Sequence, residues 1–191
     1  MATSIPEVDS AVVAAAKAGD ARAHAVLYER FAPLVYTLAR RMLIVPALAE
    51  DILQETFVEV LGKIDSFRGD AGFGFWVRRI AVNKCLMHLR SGWVSRRSGS
   101  EPPEHRSVDR SAELVDEQIV LEAALAELTP TARAVVWLHD VEGFTHREIA
   151  ESMGKTTSFS KSQLARAHER LRGLLAGQSA EDGAEICAPV L

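Results

Sequence analysis

Residues 145–172, THREIAESMGKTTSFSKSQLARAHERLR, carry the pattern that decides the fold. Thr145 opens a helix and Glu148 stands three residues on, the spacing at which hydroxyl and carboxylate cap each other's backbone N–H groups. Ile149, Ala150 and Met153 recur at helical intervals and give that helix one buried side. Ala150 is small where two helices must cross closely. Gly154 supplies the left-handed residue that ends the helix. Leu164, Ala167 and Leu171 then mark the buried side of a longer helix, from about Ser158 or Ser160 to Leu175. The stretch predicts a helix-turn-helix.

The other faces of the second helix carry Lys161, Ser162, Gln163, Arg166, Arg170 and Arg172. Such a helix can lie in a major groove of DNA with its cations near phosphates. An ordinary helical hairpin with a solvated basic face has the same pattern. Working outward, residues 117–128 read as a helix, and Thr129 caps another with Pro130 at its first position, where a missing N–H is harmless. Residues 177–191 contain three acids and no base, and are expected to form a loose tail.

Upstream, SGWVSRRSGSEPPEHRSVDRSAELVD (residues 91–116) is rich in Ser, Pro, Gly and charge. That is linker composition. It divides the chain into a module at 1–92, a flexible linker at 93–116, a helix-turn-helix module at 117–176 and the acidic tail. Both modules read as all-α, since apolar residues recur at helical rather than strand spacing almost throughout.

In the first module Asp20 caps a helix from Ala21, with Leu27, Tyr28, Phe31, Leu34, Val35 and Leu38 on its apolar side. Pro33 is expected to kink or divide it. A second helix from about Ala49 to Lys63 sets Leu53, Phe57, Val60, Leu61 and Ile64 against an opposite row of Asp51, Glu55 and Glu59. Such a row is either merely solvated or the contact surface of a partner. Ser66–Gly72 reads as a loop. A third helix, from about Phe73 to Ser91, is apolar on more than one side and so central. Its polar stripe is narrow, with Arg79, Asn83 and Arg90 within about 40°. From Phe75 to Arg97 there are Arg78, Arg79, Lys84, Arg90, Arg96 and Arg97 and no acid. A basic segment with aromatic neighbours suits single-stranded nucleic acid. The aromatics are Phe67, Phe73, Phe75, Trp76 and Trp93; Phe73 and Trp76 share a face with Ile80 and are expected in the core, and Phe67 in the loop is the better stacking candidate.

The whole chain of 191 residues is mildly acidic at net −4, so any affinity for nucleic acid must come from local patches. It has no basic and apolar leader and no run long enough to span a membrane, which predicts a cytoplasmic protein without stable membrane insertion. Cys85 and Cys187 form no CxxC pair, and the six histidines lack ligand spacing. No HExxH, Gly-rich phosphate loop or GxSxG is present. A metal or other cofactor is not expected, nor is an enzyme.

Two blocks in order carry a family resemblance. AEDILQETFVEVLGKIDSFRGDAGFGFWVRRIAVNKCLMHLR (49–90) resembles the core-binding helix, melting loop and minus-ten-reading helix of the bacterial sigma factors. LAELTPTARAVVWLHDVEGFTHREIAESMGKTTSFSKSQLARAHERLR (125–172) resembles their minus-thirty-five-reading domain. With no middle domain between them, the likeness is to the small extracytoplasmic-function type. The resemblance implies that Asp51, Gln54 and Glu55 contact the clamp helices of the large subunit of RNA polymerase core. It implies that Ser66, Phe67 and Arg68, in the 66–72 loop, hold an unstacked base of the minus-ten element, and that Arg79 and Asn83 face that strand. Ser158, Lys161, Ser162 and Arg166 would face the minus-thirty-five major groove. Promoter DNA, duplex and melted, is thus an implied partner, and an anti-sigma factor a further one. Two positions depart from the family pattern. Ser160 falls where a buried Val is expected, so that either Phe159 fills the slot or the helix starts later with Ser160 as its cap. Met87 stands where Asp is common. The rival reading is a free-standing helix-turn-helix regulator, which would bind DNA tightly without polymerase.

Overall fold

The computed structural model describes the backbone of residues 5–97 and 117–185. The expected linker falls almost wholly on 98–116, outside those residues. Every regular element among the described residues is helical, in two compact units that divide between Val94 and Ser95.

The first unit has four helices, α1 (Ser10–Lys17), α2 (Ala21–Leu43), α3 (Pro46–Gly62) and α4 (Phe73–Arg97), with a short 3₁₀ turn at Ile64–Ser66. α1 was not anticipated from sequence. Its Asp9 cap accepts from the Ala11 N–H at 2.8 Å, and only Val13 and Ala16 are buried, too few to stand out as a periodic face. Asp20 caps α2 as expected, accepting from the Arg22 N–H at 2.7 Å. α2 is not divided at Pro33. The ring is exposed, so the carbonyl it displaces can turn to water, while buried Phe31 and Val35 pin the helix on either side. α3 starts at Pro46, three residues earlier than expected, because Pro is tolerated in a first turn.

Leu27, Phe31, Val35 and Met42 of α2, Ile52, Phe57 and Val60 of α3, and Phe73, Val77, Ala81 and Cys85 of α4 form the core. α4 is central, as its broad apolar surface predicts. Burial pushes the Cys85 thiol up to about 12, so it behaves as a small apolar residue. Gly74 is required by close approach. A Cβ there would meet Ile5 Cγ2 at 2.4 Å, the Pro6 carbonyl at 2.8 Å and Phe31 Cε1 at 3.0 Å. The backbone of α4 runs past Ser91 to Arg97, into the stretch expected to be linker.

The second unit contains α5 (Glu117–Ala126), α6 (Pro130–Val136) continued by a π-helical turn at Trp137–Val141, α7 (His146–Met153) and α8 (Thr157–Glu185). Thr129 Oγ1 accepts from the Ala132 N–H at 3.3 Å, and Pro130 occupies the first helical position. The capping box of α7 is complete: Thr145 Oγ1 accepts from the Glu148 N–H at 3.3 Å, and Glu148 Oε2 accepts from the Thr145 N–H at 2.8 Å. Gly154 is left-handed at φ 63°, and the Lys155 N–H donates to the Ala150 carbonyl at 2.8 Å, the ending a tight turn needs. Leu138, Ile149, Ala150, Met153, Leu164, Ala167 and Leu171 fill the core. Arg133 is buried among them, donates to the Leu128 carbonyl at 3.4 Å, and is lowered to about 10 by desolvation.

The start of α8 corrects both sequence alternatives. Thr156 is the cap, its Oγ1 accepting from the Phe159 N–H at 3.2 Å, and the helix begins at Thr157. Ser160 itself fills the inward slot at 0% exposure, 3.0 Å from His146 Nδ1. A hydroxyl can be buried there because that imidazole meets it. α8 also continues beyond Leu175 to Glu185, through much of the stretch expected to be a loose tail; residues 186–191 lie outside the described residues.

Candidate functional site

Three exposed surfaces carry the candidate residues. On α3, Asp51, Gln54 and Glu55 are all exposed, while Ile52, Thr56, Phe57 and Val60 turn inward. Of the apolar face read from sequence, Phe57, Val60 and Ile64 are buried, while Leu53 and Leu61 are only partly so. Glu59, the far end of the acidic row, is partly covered. Lys63 Nζ lies 2.7 Å from it and Lys84 Nζ of α4 3.0 Å, and these cations hold its carboxyl below the usual range. Lys84 also stands 3.7 Å from Glu55. It therefore serves α3 rather than joining the basic stripe of α4. Val58 extends the exposed row as an apolar side chain, 74% accessible, which the sequence reading passed over.

The second surface is the 66–72 loop with α4. Ser66 and Arg68 are exposed, and Ser66 Oγ donates to the Lys63 carbonyl at 2.6 Å. Phe67 is half-buried rather than free. Its ring meets Phe73 edge-on at 5.1 Å and Trp76 at 5.4 Å, and its carbonyl accepts from Lys17 Nζ of α1 at 2.6 Å. Phe73 is buried and Trp76 partly so, which agrees with their expected place in the core. The exposed ring is Phe75, 54% accessible. With Arg79, Asn83 and the 62% exposed Met87 it recurs every fourth residue along one side of α4. Arg90 is exposed too. Sequence grouped Phe75 with the other aromatics, although its distance from the Phe73–Val77–Ile80 face was a usable signal.

The third surface is the outer face of α8. Ser158, Lys161, Ser162 and Arg166 are exposed on neighbouring turns. Ser162 Oγ donates to the Ser158 carbonyl at 2.8 Å, and Arg166 Nε donates to the Ser162 carbonyl at 3.3 Å. Arg170 instead approaches Glu127 at 3.9 Å. Among the described residues no group of three or more His, Cys, Asp or Glu could hold a metal ion, and no helix is long and apolar enough to cross a membrane.

A helix-turn-helix unit with a basic outer face, joined in one chain to a helical unit bearing an acidic row and a basic aromatic stripe, defines a DNA-binding protein of transcription. Residues 27–94 match Sigma-70 region 2, and residues 118–171 match Sigma-70, region 4. The ECF RNA polymerase sigma factor SigM of Mycobacterium tuberculosis is 33% identical over 167 residues, covering 87% of this chain and 84% of SigM. The sigma factor RpoE of Bartonella quintana, solved in complex with the anti-sigma factor NepR, shares the fold at a TM-score of 0.54 and 24% identity, over 76% of this chain and 92% of RpoE. CnrH, solved in complex with the cytosolic domain of CnrY, gives 0.51 and 24%, over 87% of this chain and 96% of CnrH. The chain belongs to the ECF sigma factors, and it directs RNA polymerase to specific promoters to initiate transcription.

Proposed function

We propose that the three exposed surfaces divide the work of promoter selection among them. The α3 row of Asp51, Gln54 and Glu55, with Val58 as an apolar anchor, binds the clamp helices of the polymerase large subunit. The 66–72 loop and the Phe75–Arg79–Asn83 stripe hold the melted minus-ten strand, and Ser158, Lys161, Ser162 and Arg166 meet the minus-thirty-five duplex. Melting needs no catalytic side chain. Capture of unstacked bases is worth about 1–3 kcal/mol each. The protein acts in the cytoplasm, where its polymerase is. An anti-sigma factor is a further partner class, by analogy with RpoE and NepR.

The observation that carries this reading is the exposure of the α3 row, opposite a fully packed face. Exposed carboxylates are usually worth under about 1 kcal/mol within a fold. At a partner interface, losing one side of a charged contact costs about 2–5 kcal/mol. Asp51 has no ion-pair partner among the described residues, so it separates the two cases better than Glu55, which faces Lys84. Asp51→Lys is expected to leave the thermal midpoint unchanged, weaken binding to purified polymerase core and abolish promoter-directed transcription. Wild-type affinity in this variant would show that the row is only solvated. Failure of the wild-type chain to bind core, with tight binding to DNA alone, would instead favour a free-standing regulator.

A further inference from the structure

The sequence scatters its histidines, yet the second unit sets two of them on one carboxylate and stacks a third on the first. Asp140, in the π-helical turn, accepts from His139 Nδ1 at 2.8 Å and from His168 Nε2 of α8 at 2.6 Å. The His139 ring stacks on His146, the first residue of α7, with centroids 4.4 Å apart and planes 21° from parallel. His146 Nδ1 then meets buried Ser160 of α8 at 3.0 Å. The recognition helix is thus tied to its scaffold at two heights, by Ser160 in its first turn and by His168 two turns on. A π-helical turn often marks such a specialised site.

We propose that His139, Asp140, His146, Ser160 and His168 form a proton-sensitive clamp that positions the recognition helix, so that minus-thirty-five binding weakens on acidification. The inference rests on α8 being the helix that reads duplex DNA. Ser160 Oγ can meet Nδ1 of His146 as donor or acceptor, so a proton on that ring need not break their bond. It acts through the stack. A cation on His146 would lie face to face with His139 from the π-helical turn and near Lys161 from α8, and Asp140 would oppose that repulsion. Partial burial, His139 and Lys161 accordingly hold His146 below the ordinary histidine value, while Asp140 acts the other way. The sign follows: the folded state takes up this proton less readily than the unfolded one, so the clamped arrangement is intact above the ordinary value and loses stability as pH falls below it. Displacing His146 shifts the first turn of α7 and, through Ser160, that of α8.

An added positive charge would by itself strengthen attraction to DNA. A loss of specific binding on acidification runs against that trend, which makes it diagnostic. The test has two arms. In the first, histidine ring and backbone amide signals of the full-length chain are followed by NMR from about pH 8 to about pH 5. The amides of Ser160 and Lys161 are expected to shift with the midpoint of His146; their constancy through that titration would overturn the clamp. In the second, holoenzyme is bound to a promoter fragment that it transcribes, at constant ionic strength. Affinity is expected to fall about threefold or more between about pH 7.5 and about pH 5.5. His146→Phe, which keeps a stacked ring but takes no proton, is expected to lose most of this fall in affinity between the two pH values. Equal pH profiles for wild type and variant would overturn the proposal. If wild-type holoenzyme selects no promoter at neutral pH, the proposed function fails, while the NMR arm still decides whether the clamp exists.

Discussion

Phe67 and Phe75 show how a single ring's role depends on its neighbours. Phe67 sits against Phe73 and Trp76, with Lys17 holding its carbonyl, whereas Phe75 projects from the same region into solvent. Phe67→Ala is expected to cost about 1–3 kcal/mol of stability, read as a lower denaturant midpoint. Phe75→Ala is expected to leave that midpoint unchanged. If Phe75 stacks on a melted base, its loss reduces permanganate reactivity of promoter thymines while closed-complex formation persists. The opposite ranking, with Phe75 silent and Phe67 affecting melting at full stability, would return the stacking role to the loop. Sequence separated core from surface well where one helix decides the matter, as at Phe73, Arg79 and Asn83. It did not foresee that Phe67 is half-buried, because one partner that anchors that residue, Lys17, lies 50 positions away on a helix with little apolar signature.

Four helix ends with a local cap were legible. Asp20, Thr129, Thr145 and Gly154 all act as their spacing predicts. The start of α8 was not, because Thr156, Thr157, Ser158 and Ser160 all offer hydroxyls and only tertiary packing chooses among them. Since Thr156 is the cap in use, Thr156→Ala is expected to destabilise the second unit by about 1 kcal/mol. The measurement is a denaturant midpoint from Trp137 fluorescence, with Trp76 and Trp93 replaced by Phe. An unchanged midpoint would show that another group satisfies the freed Phe159 N–H. The π-helical turn after α6 was equally invisible, since nothing in Trp137–Val141 differs in composition from an ordinary last turn.

For the whole molecule, the chain falls into two compact units that divide between Val94 and Ser95. The α4 backbone runs to Arg97, so protease is expected to cut first after that residue, within 98–116, and to release two fragments that keep their helical circular dichroism. Cleavage no faster there than within α2 or α8 would count against separate modules. The chain's opening residues are another matter. Ile5 and Pro6 press on the first turn of α4 where Gly74 makes room, and Glu7 accepts through its carbonyl from Arg30 Nε at 3.2 Å. Those residues look expendable on paper, and a protein engineer would gladly shorten them or splice a purification tag in their place. Doing so would lay bare the first turn of α4 at Gly74 and take from Arg30 the carbonyl it holds, and the trimmed product is expected to melt sooner than the chain it was cut from.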